Sequence, residues 1–348
     1  AYSISWPDSA GYLWLFGGYG YDSAGGFGYL NDLWRYELAS GQWTWMSGAN
    51  TADEMGVYGT KGTPDAANVP GARNDSISWL DNAGNLWLFG GYGYDSTGIT
   101  RYLNDLWRYD PVTKEWTWMS GANTADETGV YGTKGTPAVG NVPGARNYSI
   151  SWSDSAGDLW LFGGYCYGNT SSHCFMIDLC RHNPVSWQWT WMSGANTVDQ
   201  KGIYGTQGTP AAGNVPGARI NSISWLDSAG NLWLFGGYGY DSAGTLGAMN
   251  DLWRYEWLAA PSPAAPSNLT AAAAGTDQID LTWTDNSLDE TGFGIERSPD
   301  GSFWAHIVSI GADTTDYADT GLDANTTFHY RVYAFNPAGG SNYSNEAS

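Results

Sequence analysis

The sequence predicts an all-β protein built from repeated modules, and three observations lead to that prediction. A phrase of four segments recurs every 73 residues, which places Trp6, Trp79, Trp152 and Trp225 at the same point of successive units. Aromatic residues make up 16% of the chain, and such side chains favour strands over helices. A strict period of this length is typical of arrays whose modules bury their apolar faces against their neighbours.

Each unit reads as four short strands. In the second unit, residues 76–79 alternate as a first strand, and residues 86–89 form a nearly continuous apolar second strand. Residues 105–109 and 116–119 predict a third and a fourth strand, with a turn at 110–115 between them. Four antiparallel strands repeated at a fixed spacing favour the blade of a β-propeller over a β-sandwich.

The motifs within these strands carry a resemblance to a known family. Apolar residues precede a Gly-Gly pair, and a Tyr and a Trp follow with six residues between them, as in Tyr36 and Trp43 or Tyr109 and Trp116. Over residues 1–257 this pattern resembles the kelch repeat, including the central domain of galactose oxidase-like proteins. The resemblance implies a β-propeller whose second strands lie near the centre and whose tryptophans fill the space between blades.

The repeat array is expected to end before its last blade is complete. The units run over residues 1–73, 74–146, 147–219 and 220–257, and segments rich in Gly and Pro connect the blades at 50–73, 123–146 and 196–219. The fourth unit lacks its last strand, because Ala264 stands where a tryptophan is expected. Three alternatives remain: a closed four-bladed ring, an open segment of a larger ring or chain, and completion by another molecule at the open strand edge.

A second domain follows the array. Residues 258–266 form a linker rich in Pro and Ala, and residues 267–348 contain strands with a period of two, separated by turns. Trp283 in an early strand and the run Tyr-Arg-Val-Tyr-Ala at 330–334 resemble a fibronectin type III domain. That resemblance implies an immunoglobulin-like β-sandwich that serves as a spacer or an adhesive module.

Charge and hydropathy limit the partners. A net charge of −21 disfavours binding to nucleic acid and to anionic membranes, because both require a cationic surface. No apolar run approaches the roughly 20 residues of a membrane-spanning helix. We expect self-association, another surface protein or a glycan as the partner. We also expect an extracellular or cell-surface location, in a bacterium, although the given chain carries no signal sequence.

The three cysteines all lie in the third unit. Cys166 and Cys174 stand at the two ends of one loop, which predicts a disulfide between them. Cys180 replaces a tryptophan of the other units, and we expect a small buried thiol there. A soft-metal site that also uses His173 and His182 is the alternative, but the spacings match no compact ligand pair, and no metal is predicted.

No arrangement of catalytic residues can be identified. The copper site of galactose oxidase-like enzymes needs histidines, tyrosines and a Tyr–Cys crosslink from separate blades, whereas His173 and His182 lie in one unit. No Ser-His-Asp set or pair of catalytic carboxylates is present either. The sequence therefore predicts no enzyme, no catalytic residue and no cofactor.

A repeated loop carries the candidate binding residues. Its aromatic and carboxylate side chains suit carbohydrate binding, or calcium as the one conceivable cofactor, but an Asp that caps its own turn would show the same pattern. The candidate residues are Tyr21, Asp22, Tyr94, Asp95, Tyr240 and Asp241.

The third strands carry a further recurring pair of charges. An Asp and an Arg lie three residues apart in each unit, as in Asp105 and Arg108, and we expect them to pair structurally. The same pattern gives Asp32 with Arg35, Asp178 with Arg181, and Asp251 with Arg254.

Taken together, these features predict a non-enzymatic extracellular structural or adhesion protein. Completion of the open propeller edge between chains would assemble it into oligomers or filaments. A lectin-like module that uses the Tyr/Asp loops is the alternative, followed by a cryptic oxidase.

Overall fold

A computed structural model describes residues 1–8, 10–166, 174–256, 263–302, 304–336 and 339–348. Every regular element in these ranges is a β-strand, so the predicted all-β class is confirmed. The same ranges contain no helix that would be long and apolar enough to cross a bilayer. The chain divides into two compact units, residues 1–257 and 258–348.

The first unit consists of four successive antiparallel sheets, which are the blades. The strands of the first two blades are β1 (Ile4–Pro7), β2 (Tyr12–Tyr21), β3 (Phe27–Glu37) and β4 (Gln42–Ser47), then β5 (Arg73–Asn74), β6 (Ile77–Leu80), β7 (Leu86–Tyr94), β8 (Thr100–Asp110) and β9 (Glu115–Ser120). The third and fourth blades contain β10 (Arg146–Asn147), β11 (Ile150–Ser153), β12 (Leu159–Cys166), β13 (Phe175–Asn183) and β14 (Gln188–Ser193), then β15 (Arg219–Ile220), β16 (Ile223–Leu226), β17 (Leu232–Tyr240) and β18 (Leu246–Tyr255).

The Gly-Gly pair of each unit allows one blade to approach the next. Gly90 and Gly91 adopt φ values of 62° and 101°, and the register of β7 against β8 shifts at this point. A Cβ at Gly90 would lie 2.7 Å from the carbonyl oxygen of Arg146, which belongs to the following blade. Any larger residue would therefore separate the second and third blades.

Successive blades pack through two different faces. Because side chains alternate along a strand, Trp14 and Phe16 of β2 point to the side opposite Leu13. We call the side that carries this Phe the trailing face, and the opposite side, which carries the tryptophan of the fourth strand, the leading face. Phe16 packs edge to face on Trp116 of the second blade, with 5.5 Å between ring centroids. The trailing face of one blade thus covers the leading face of the next.

The connecting segments fold against the blade that follows them. An antiparallel bridge between Val57 and Val69 closes the first of these segments on itself. The ammonium of Lys61 lies 4.3 Å from the ring centroid of Trp118 and donates a hydrogen bond to the carbonyl of Gly121 at 2.7 Å. These contacts hold the segment on the fourth strand of the second blade.

The array is open at both ends. In the first three blades the third strand pairs on both sides, but β18 pairs with β17 alone among the described residues, while 257–262 lie outside them. Trp43 of the first blade is 52% exposed and Phe235 of the fourth is 41% exposed. The end blades do not bury each other, so the described array is not a closed four-bladed ring.

The second unit is a two-sheet sandwich. One sheet contains β19 (Ser267–Ala273), β20 (Gln278–Thr284) and β23 (Asp316–Thr320), and the other contains β21 (Gly292–Ser298), β22 (Ala305–Gly311), β24 (His329–Asn336) and β25 (Gly339–Gly340). Trp283 packs on Phe293 across the core, with 5.6 Å between ring centroids. The buried Tyr330 donates a hydrogen bond from its hydroxyl to Asp319 at 2.9 Å.

Candidate functional site

A buried ion pair locks each connecting segment to its blade. Arg73, at the end of the first segment, donates two hydrogen bonds to Asp105 in β8, at 2.6 and 2.7 Å. The hydroxyl of Tyr58 and the indole N–H of Trp107 each donate to the same carboxylate at 2.7 Å. Arg146 with Asp178 and Arg219 with Asp251 repeat this geometry in the third and fourth blades.

The expected pairing of Asp105 with Arg108 is therefore wrong. Residues three apart in a strand point to opposite faces, so the two side chains cannot meet. The third-strand arginines are used differently: Arg181 lies 3.2 Å from Asp158, and Arg254 pairs with Glu256.

The first blade has the carboxylate without this arginine. Asp32 accepts a hydrogen bond from the indole of Trp34 at 2.6 Å, and no Arg or Lys of the described residues forms an ion pair with it. The second to fourth blades thus share a buried cluster that the first blade lacks.

The ionisation of the buried cluster supports a structural role. Burial alone lowers the pKa of Arg73, but the adjacent Asp105 more than offsets this effect and the net pKa is raised. Burial and the neighbouring carboxylate raise the pKa of Tyr58 well above its usual value. The arginine therefore stays charged and the phenol stays neutral near neutral pH.

The candidate loop aspartates are occupied by backbone donors. Asp22 accepts hydrogen bonds from the N–H groups of Ala24, Gly26 and Ala52, at 2.9, 2.6 and 3.0 Å. The bond from Ala52 is the largest cause of a lowered pKa for Asp22. These bonds join the loop to the start of the connecting segment.

The loop of Asp95 has the same three backbone donors, and the loop of Asp241 has the two local ones. Asp95 accepts from the N–H groups of Thr97, Ile99 and Ala125, and Asp241 accepts from those of Ala243 and Thr245.

The candidate tyrosines lie on aromatic neighbours. Tyr21 contacts Phe27 at 4.7 Å between ring centroids and is largely exposed. Tyr94 lies 6.2 Å from Tyr29 of the first blade, and Tyr240 lies 5.9 Å from Phe175 of the third. The latter two tyrosines therefore join neighbouring blades.

A cavity that the sequence did not predict lies where the first strands of all four blades begin. Its volume is about 220 Å³, and it is lined by Tyr2, Ser3, Ile4, Asp75, Ser76, Tyr148, Ser149, Ile150, Asn221 and Ser222. Four of these side chains occupy one repeat position, and each has a left-handed backbone: Tyr2, Asp75, Tyr148 and Asn221, with φ of 63°, 54°, 54° and 54°. Backbone strain of this kind clusters at functional sites.

We call this cavity, at the start of the first strands, the axial cavity. Groups that line it and belong to different blades form hydrogen bonds with one another. The N–H of Asp75 donates to the carbonyl of Tyr2 at 3.2 Å, and the N–H of Tyr148 donates to the carbonyl of Asp75 at 3.3 Å. Burial raises the pKa of Asp75 to about 6, partly offset by a hydrogen bond with the Tyr148 side chain. The available signal was that Tyr, Asp, Tyr and Asn alternate at this position while the next residue is always Ser.

The third blade holds the cysteines. Cys166 and Cys174 are joined by a disulfide, and Cys180 is a free, buried thiol 3.5 Å from Asp178. Trp107 occupies the equivalent position in the second blade. His173, one of the ligands of the alternative soft-metal site, lies outside the described residues.

His182 is buried between two tryptophans of adjacent blades. Its ring lies 5.3 Å from that of Trp87 and 5.0 Å from that of Trp189. Neither ring nitrogen has a hydrogen-bond partner within the part of the chain that the structure describes, and burial lowers the pKa of His182 to about 3. At neutral pH this imidazole is therefore an uncharged packing group.

We expect His182 to make the array sensitive to acid. Unfolded histidine has a pKa of about 6.5, so its contribution to stability is complete above that pH and is lost as the pH falls toward 3. Tyrosine occupies this place in the second blade, where Tyr109 lies 5.8 Å from Trp14. His182→Tyr should flatten the fall in urea midpoint between pH 6.5 and 4.5. An equal slope in both proteins would contradict this role.

In the second unit, three carboxylates lie close enough to hold a cation. Oxygens of Asp285, Glu290 and Asp313 lie within 4.8 Å of one another. The Glu290 carboxylate also accepts the N–H of Asp313 at 3.2 Å, so it already holds the loop together.

Comparison with known families agrees with both parts of the fold. Residues 83–117 match the kelch motif, and residues 264–348 match the fibronectin type III domain. The second of the four bladed sheets thus carries a kelch motif, and the C-terminal unit carries a fibronectin type III domain, which confirms the resemblance drawn from the sequence.

Relatives and solved structures match only parts of the chain. N-acetylneuraminate epimerase from Escherichia coli (strain K12) is 40% identical over 50 residues, which cover 14% of this chain and 14% of the relative; the enzyme from Shigella sonnei (strain Ss046) matches equally. A Fn3-like protein from Clostridium thermocellum is 28% identical over 24% of this chain and 88% of its own, with a TM-score of 0.22. A structure of titin kinase and its flanking domains is 24% identical over 26% of this chain and 17% of its own, with a TM-score of 0.23. None of these matches carries an activity to this chain.

Proposed function

We propose that this chain is a non-enzymatic structural or adhesion protein of the bacterial exterior that associates with itself through the open ends of its blade array. One observation carries the proposal: within the described residues, the first and fourth blades expose apolar faces of the kind that the inner blades bury against one another. The kelch and fibronectin type III parts support a role in protein interaction or structure. The charge of −21 favours a protein partner over nucleic acid or an anionic membrane.

Two features support the non-enzymatic part of this proposal. The described histidine of the array, His182, is buried and uncharged, so it does not act as a base at neutral pH. The Asp–Arg–Tyr cluster of the second blade is buried as well, and its carboxylate accepts hydrogen bonds from Arg73, Tyr58 and Trp107. An oxidase would instead require exposed, unsaturated ligands for its metal.

The size of the particle in solution tests the proposal. Sedimentation velocity over a dilution series, together with negative-stain images, should show species larger than one chain that dissociate on dilution. A single species with the mass of one chain at every concentration, up to about 100-fold above the lowest, would refute self-association.

Binding of a sugar is a second candidate function, favoured by the axial cavity. A carboxylate, two tyrosines and an amide line it, and such groups bind sugar hydroxyls and ring faces. A glycan array should then show binding that Asp75→Asn abolishes and Asp95→Ala leaves intact. The reverse result, with dependence on calcium, would favour the Tyr/Asp loops, and an array without any signal would exclude both sites.

A further inference from the structure

We propose that the trailing face of the fourth blade docks onto the leading face of the first blade in a second copy of this chain. The contact is head to tail, and it would repeat the packing between neighbouring blades. This inference rests on the proposed self-association and adds its geometry: two apolar faces stack, rather than one chain donating a strand to another.

The inner blades supply the template for this contact. Phe16 lies on Trp116, and one period later Phe89 lies on Trp189 at 5.4 Å between ring centroids. The indole of Trp79 donates a hydrogen bond to the carbonyl of Trp160 in the next blade at 3.1 Å. The same sequence positions therefore make the same contact in successive blades.

The trailing face of the fourth blade carries these groups without a cover. Phe235 corresponds to Phe16 and is 41% exposed; Leu252 corresponds to the fully buried Leu33 and is 55% exposed. Trp225, which corresponds to Trp79, is also 41% exposed and stacks on Trp233 with 3° between the ring planes. Among the described residues, no further blade offers its indole N–H the carbonyl that Trp160 offers to Trp79.

The leading face of the first blade provides the other half of the proposed contact. Trp43 corresponds to Trp116, which is 1% exposed, whereas Trp43 is 52% exposed. Leu13 corresponds to the fully buried Leu86 and is 39% exposed. In the docked pair, Phe235 of one copy would lie on Trp43 of the other, as Phe16 lies on Trp116.

We take a second copy as the occupant because the described blades expose one face of each kind, and the inner blades show that these two faces are complementary. Both faces are exposed together in the folded array, so the fourth blade does not cover the first blade of its own chain. Each copy has one exposed leading face and one exposed trailing face, and each contact joins a leading face to a trailing face. Such a contact produces a closed ring when the rotation per copy closes and a filament when it does not.

Variants that disable one face at a time test this arrangement in the full chain. Phe235→Asp with Leu252→Asp places charge on the trailing face, and Leu13→Asp with Trp43→Asp does so on the leading face. All four residues are exposed, so both variants should fold, and circular dichroism with thermal unfolding checks this. Val112→Asp with Val139→Asp is the control, since both valines are exposed on inner blades.

Each face variant should sediment as a single chain, while the control assembles like the wild-type protein. An equimolar mixture of the two face variants should form a 1:1 pair and grow no further, because each variant keeps one intact face. If the variants still assemble like the wild type, the contact lies elsewhere, for example at the edge of β18, and only this inference fails. If the wild-type chain never associates, the proposed function fails with it.

Discussion

Replacement of Asp105 by alanine is expected to destabilise the array by about 3–5 kcal/mol, the usual cost of breaking a buried ion pair. The substitution leaves the guanidinium of Arg73 buried and without its carboxylate. It also removes the acceptor of the Tyr58 hydroxyl. Urea unfolding followed by tryptophan fluorescence measures the change.

Asp32→Ala is the matched control for this prediction. Asp32 holds the same position in the first blade, but its described side-chain contact is with the indole of Trp34. Loss of one hydrogen bond of this kind costs about 1 kcal/mol. If both variants shift the urea midpoint equally, the arginine contributes nothing to the stability of its blade.

Replacement of Trp116 by alanine is expected to cost about 3–5 kcal/mol, as for other large aromatic residues in cores. Its ring is buried and lies against Phe16 of the first blade and against Tyr109 of its own blade. The variant leaves a cavity at the boundary of two blades. Urea unfolding at a protein concentration where the chain is monomeric gives the value.

Trp43→Ala makes the equivalent change on an exposed surface. We expect it to alter stability by less than about 1 kcal/mol, because substitutions outside cores have small effects. At higher concentration the same variant should weaken association. A large loss of stability in the monomeric Trp43 variant would mean that its ring contact with Tyr36, at 4.9 Å between centroids, stabilises the blade as strongly as burial does elsewhere.

The period and the strand pattern were sufficient to predict the fold. Alternation at residues 76–79 and the apolar run at 86–89 correspond to β6 and β7, because side chains alternate about a strand whatever its neighbours are. The open last blade followed from the same repeat. The repeat did not predict which charged residues pair, because Arg73 pairs with an aspartate, Asp105, that lies 32 residues further along the chain.

The candidate site was harder to predict for a related reason. The binding role predicted for Asp22 took no account of the three backbone N–H groups that its carboxylate accepts, because only the folded loop brings them together. The axial cavity depends on Tyr2, Asp75 and Tyr148, which are 73 residues apart in sequence. Their proximity results from the arrangement of whole blades, which no local pattern encodes.

Because of the ion pair between Arg73 and Asp105, the folding module and the sequence repeat have different boundaries. A sequence unit runs from 74 to 146, but the second blade needs Tyr58 and Arg73 from before that range. Within residues 123–146, Arg146 serves Asp178 in the third blade, whereas Asn123, Ala125 and Asp126 form hydrogen bonds with the second blade. Truncation or transplantation of a blade should therefore cut after Asp126, beyond the end of β9. A cut at residue 146 would separate an arginine from the carboxylate that neutralises it.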